Sequence, residues 1–107
     1  MSEDSVSYAI QQFFGGNFHQ DWDLEAENWQ SVIDNYAVGK GPSRLHALAQ
    51  DIDDLRQMHG EDELKVLMPR RAHAAYNPRP ITYKEWLGLV ADRLRGHAAA
   101  IEGGAAH

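Results

Sequence analysis

The chain has 107 residues, with sixteen Asp plus Glu against ten Lys plus Arg, a formal net charge of −6 and no cysteine. That length predicts a single domain, residues 1–107, burying roughly 60–70% of the surface its unfolded form exposes. The missing thiols exclude a disulfide framework, a cysteine metal site and a cysteine nucleophile.

The charge is unevenly spread. No Lys or Arg precedes Lys40, whereas Glu3, Asp4, Asp21, Asp23, Glu25, Glu27 and Asp34 all do. Phosphate contacts need a basic face, so direct binding of DNA or RNA is disfavoured and a basic protein partner suits this surface better. Plain solvation is the commoner reason for such acidity. No apolar run approaches the ~18 residues of a membrane span, and the start of the chain lacks the positive charge and apolar run of a signal peptide. A cytoplasmic protein is expected.

Val6, Ile10, Phe13 and Phe14 recur at helical spacing and predict a first helix over 5–14, ended by Gly15-Gly16. Trp29, Val32, Ile33 and Tyr36 repeat the pattern in a second. There Asp21 or Asp23 is the expected cap, and Glu25 and Glu27 suit the positive end of the helix dipole. Gly39-Lys40-Gly41-Pro42 breaks that helix, and Pro42-Ser43 starts a third whose Leu45, Leu48, Ala49, Ile52 and Leu55 form one apolar stripe ending near Gly60. A short fourth segment, 62–68, is expected to stop at Pro69.

The prolines that follow predict a structured loop over 69–81, anchored by Tyr76. Thr82-Tyr83-Lys84-Glu85 reads as a capping box, with the hydroxyl and carboxylate satisfying orphan amides. The last helix aligns Tyr83, Trp86, Leu87, Val90 and Leu94, loosens at Gly96 and frays from about residue 97. With no strand-like alternation and no internal repeat, the fold class is all-α: a compact bundle of four to five amphipathic helices. Phe13, Phe14, Trp22, Trp29, Ile33, Leu48, Ile52, Leu55, Trp86, Leu87 and Val90 are its expected core.

Between the first two helices lies Phe18-His19-Gln20-Asp21-Trp22, which joins two rings to three polar groups. It resembles the signature near the N-terminus of a family of small bacterial immunity proteins of contact-dependent growth inhibition systems, with Asn17 where that signature usually opens on an aromatic. Tyr76, Pro78, Thr82 and Trp86-Leu87 resemble the family's downstream Tyr-Pro segment and Trp-Leu helix, so the resemblance spans nearly the whole chain. It implies an all-helical, non-enzymatic protein that binds and neutralises the C-terminal toxin domain of its cognate effector in the cytoplasm, as a heterodimer.

Other chemistry finds little support in the residues. His19 with Asp21 has the composition of a metal pair or of a base with its orienting carboxylate. A lone imidazole among aromatics is more often structural. Asp21, Asp23 and Glu25 alternate like the start of a calcium loop, but Ala26 stands where that loop needs Gly and Val32 where it needs Glu. No two histidines have the i, i+4 spacing of a helical zinc pair, and no serine lies in a nucleophile elbow. No cofactor or metal is expected.

Arg70, Arg71 and Arg79, with Tyr76 nearby, are the one concentrated basic patch, suited to RNA or an acidic groove and more simply to solvating the loop. Asp51, Asp53 and Asp54 stand on or beside the polar side of the third helix. With Asp21, Asp23, Glu25 and Glu27 they are the candidate contacts to a cationic toxin cleft, and a nuclease is the expected toxin because its cleft must be basic. Phe18, His19, Gln20, Asp21, Trp22, Trp86 and Leu87 are assigned to architecture. Two other classes remain open: a small acidic adaptor for another basic protein, and a metal-dependent hydrolase built on His19 and Asp21.

Overall fold

A computed structural model describes residues 7–18, 28–70 and 81–104. Within them five helices and no strand occur: α1 (Tyr8–Asn17), α2 (Trp29–Ala37), α3 (Pro42–Met58), α4 (Glu61–Arg70) and α5 (Tyr83–Gly104). The all-helical expectation holds. α3 and α5 form the central pair, and α1, α2 and α4 pack around them.

Local chemistry sets most of the helix ends, in several places differently from the sequence expectation. α1 begins at Tyr8 because the Ser7 hydroxyl accepts the Ile10 N–H at 3.2 Å. It runs through Gly15 and Gly16, which were expected to end it. At its C-terminus Asn17 Nδ2 donates to the Phe13 carbonyl at 2.8 Å and the Phe18 N–H donates to the Phe14 carbonyl, so the last turn is satisfied three residues later than expected. The extra turn brings Phe18 into the core.

α2 is capped by Asn28, whose Oδ1 accepts the Ser31 N–H at 2.8 Å, and not by Asp21 or Asp23. Asn competes equally with Asp as a cap, and Asn28 stands immediately before the apolar stripe. Gly39 then takes φ +78°, the left-handed conformation that makes the turn into α3 possible without Cβ strain. Pro42 opens α3, where its missing N–H costs nothing.

Pro69 was expected to stop α4, yet the helix includes it and continues to Arg70. The proline removes one hydrogen bond, to the carbonyl of exposed Lys65, where water can replace it. Half of the expected capping box at α5 forms: the Glu85 N–H donates to Thr82 Oγ1 at 3.0 Å, whereas the Glu85 carboxylate accepts the Thr82 hydroxyl at 3.2 Å instead of a backbone amide. A second cap comes from another helix. Glu61, first residue of α4, accepts the N–H groups of Tyr83 and Lys84 at 3.0 and 2.9 Å, tying the start of α5 to α4.

α5 passes through Gly96 to Gly104, beyond the point where fraying was expected. Buried Ala98 and the contacts of His97 with Asp34 and Glu102 with His46 hold its last turns to the body. The core comprises Phe13, Phe14, Ile33, Leu48, Ile52, Leu55, Trp86, Leu87 and Val90, as expected, with Trp29 half-buried against it. It also takes in Phe18, Leu45, Leu64, Met68 and Leu94. Trp22 and Tyr76 lie outside the described residues, as do residues 71–80 of the stretch expected to form a loop.

Candidate functional site

The two aromatic motifs meet in space. Phe18, at the end of α1, and Trp86, one turn into α5, are both fully buried and stand edge to face with ring centroids 5.2 Å apart. Phe14 lies 5.5 Å from Trp86 on one side, and Trp29 closes the other at 6.2 Å and 84°. Such pairs add about 0.5–1.5 kcal/mol each beyond the area they bury. Leu87 is buried beside them. Phe18, Trp86 and Leu87 therefore fix how α1 meets α5. His19, Gln20, Asp21 and Trp22 lie outside the described residues, as do Asp23, Glu25 and Glu27.

The three aspartates of α3 have different surroundings. Asp53 is mostly buried and bonded twice, to Arg56 Nε at 3.0 Å and to Arg95 at 2.5 Å, which ties α3 to α5. Burial works against its ionisation, but the hydrogen bonds from Arg95 and Arg56 outweigh it and hold the carboxyl below the ordinary value. Arg56 reaches this position by lying over Gly88, where a Cβ would meet the guanidinium at 3.4 Å. Asp54 is exposed and, among the described residues, bonded only to Gln50 of its own helix, at 2.9 Å. Asp51 is half-buried at the rim of a groove.

A second ion-pair cluster binds α2 to α5. Arg93 makes two 2.8 Å bonds to Asp34, and His97 Nε2 lies 2.6 Å from the same carboxylate. The Arg93 hydrogen bond, with that of His97, pushes the Asp34 pKa down to about 2, and the carboxylate in turn raises that of Arg93. The remaining described imidazoles are paired likewise: His59, 4% exposed, lies 3.3 Å from Glu63, and His46 lies 3.0 Å from Glu102. The Gly60 N–H, followed by His59, lowers the Glu63 pKa. Among the described residues no three His, Asp or Glu side chains converge.

The groove has a volume of about 550 Å³ and runs between α1, α2 and α3. Phe13 and Leu48 form its apolar floor; Tyr8, Tyr36, Lys40 and Arg44 form its walls, with Asp51 at one end. Tyr36 packs edge to face on Phe13 at 4.8 Å and carries the Lys40 ammonium 4.8 Å above its ring. Tyr8 is 75% exposed. Neither Lys40 nor Arg44 has a carboxylate partner among the described residues, whereas Arg56, Arg93 and Arg95 all do.

The sequence pattern did not reveal this groove: Lys40 read as the end of the acidic third and as part of the break before α3. One signal was available. Arg44 stands in the first turn of α3, where the helix dipole disfavours a cation, and that turn has neither an acidic residue nor a side-chain cap. Of the predicted basic patch, Arg70 is exposed at the end of α4, while Arg71 and Arg79 lie outside the described residues. No described helix is long and apolar enough to cross a membrane.

The CdiI immunity protein family matches residues 7–94, a span that runs from the cap of α1 to the last large core residue of α5. Neither the curated proteins nor the solved structures give a match.

Proposed function

Since the chain belongs to the CdiI immunity protein family, and is thus a non-enzymatic protein that neutralises a cognate contact-dependent growth inhibition toxin, we propose that its target is a nuclease domain. On this reading the immunity protein forms a heterodimer in the cytoplasm with the C-terminal domain of the effector and occludes its active or substrate-binding surface. The family match over residues 7–94 carries the neutralising role. The acidity of the chain supports the nuclease: a surface built to hold nucleic acid is cationic, and a net charge of −6 complements it.

The contacts follow from the same argument. Exposed Asp54 presents negative charge from α3, with Asp51 half-buried at the groove beside it, and Asp21, Asp23, Glu25 and Glu27 add charge from the acidic third. Asp53 is already engaged by Arg56 and Arg95, so it serves by holding the helix that bears its neighbours.

Co-expression with the toxin domain encoded beside this gene tests the role: cells survive only when this protein is present. Purified toxin domain should degrade nucleic acid and stop doing so on stoichiometric addition. Association should slow steeply as salt rises, and a rate independent of salt would remove the electrostatic part of the proposal.

A further inference from the structure

We propose that the groove between α1, α2 and α3 is the seat for an acidic side chain, Asp or Glu, carried on a segment of the toxin domain and held between Lys40 and Arg44. This rests on the reading that the protein acts by binding its toxin, and specifies which surface binds and with what chemistry.

The charges of the described surface carry the argument. The arginines that link α3 and α2 to α5 are spent inside the fold, Arg56 and Arg95 on Asp53 and Arg93 on Asp34. Lys40 and Arg44 instead face an open concavity with one carboxylate among the described residues, Asp51, at its end. The groove is therefore locally cationic on a chain of net charge −6. Arg44 gains nothing for the helix where it stands, since a cation in the first turn opposes the dipole.

The lining is also that of a contact surface. Tyrosine and arginine are enriched where binding energy concentrates, and Tyr8 holds a large ring in solvent beside them. The volume, about 550 Å³, accommodates a few side chains over the apolar floor of Phe13 and Leu48.

Charge also selects among occupants. A nucleic acid strand would meet Asp51 and the acidic remainder of the chain. A second copy docked about a two-fold axis would bring Lys40 and Arg44 against their own equivalents. A cationic toxin domain with one acidic projection fits both parts: its bulk is drawn by the acids of the chain, and its projection is read by the groove. Opposed charges at two points reject a partner that matches only one of them, which gives discrimination between toxins.

The test uses the full chain and the catalytically inactivated toxin domain encoded beside it, with binding measured by calorimetry. The double substitution Lys40→Glu and Arg44→Glu should weaken binding at least 30-fold, and Tyr8→Ala at least fivefold. Lys65→Glu with Arg70→Glu makes the same charge change on exposed residues of α4 and should leave affinity within threefold. An acid at position 44 suits the start of α3, so unfolding will not imitate the loss, and Arg44→Gln alone should weaken binding about tenfold. Equal losses from the two double variants, or no loss from either, overturn the groove while leaving the neutralising role intact. Failure of the wild-type chain to bind at all overturns that role instead. A benzophenone amino acid in place of Tyr8 should crosslink to a toxin peptide containing Asp or Glu; capture of a peptide with neither Asp nor Glu, or of a second copy of this chain, overturns the proposal.

Discussion

The two sides of α1 use the same residue types for opposite ends. On one side Phe14 and Phe18 are fully buried against Trp86. On the other, Tyr8 stands in solvent over a groove whose cations have no carboxylate partner among the described residues. Where α2 and α3 meet α5, arginines are matched to aspartates; in the groove the cations are left for something else to match. The difference teaches that a charged or aromatic residue shows its role by what its partners already are. Where every partner is internal the residue holds the fold, and where unmatched cations and an exposed ring share one concavity they are open to an outside partner.

The largest break in that comparison comes from Trp86→Ala, which empties the site that Phe14, Phe18 and Trp29 surround and should cost about 3–5 kcal/mol in a denaturant titration. Tyr8→Ala, on the same helix as Phe14, should change stability by less than about 0.5 kcal/mol. Equal costs would dissolve the distinction between the sides. Next in size is Asp53→Ala, which strands Arg95 and Arg56 and should cost about 1–2 kcal/mol, because both arginines retain access to water. Asp54→Ala, one residue on, should leave the melting temperature unchanged and slow association with the toxin at low salt.

The smallest effect is a pH dependence at Asp34. Its folded pKa of about 2 lies below the ordinary 3.8, so between those values the unfolded chain binds more protons than the folded one. Stability from the Arg93 and His97 contacts is then complete above about pH 4 and lost as the pH falls towards 2. Asp34 is 39% exposed and solvent screens the pair, so the contribution should be under about 1 kcal/mol. Asp34→Asn should lower the melting temperature slightly at neutral pH and match wild type near pH 2; a difference that persists in acid would place the effect in packing rather than charge.

Periodicity and cap chemistry determined by themselves that this chain is helical, which stripe each helix buries and where α3 and α5 begin, because apolar spacing, Pro42 and the Thr82-Glu85 pair act within a turn or two of backbone. The same short-range rules misplaced the ends of α1 and α4. Gly15-Gly16 and Pro69 are weak helix residues whose cost is overridden by burial of Phe18 in one case and left to a solvent-facing carbonyl in the other. Trp86 and Phe18, 68 positions apart by their numbering, were legible as two motifs but not as one contact. Only the tertiary structure decided that Asp53 is internal while Asp54 is free to face a partner, that Glu61 caps a helix beginning at Tyr83, and that Tyr8, Lys40 and Arg44 share a groove. Those facts depend on which helix faces lie against each other, and a one-dimensional pattern specifies that a face is buried without specifying against what.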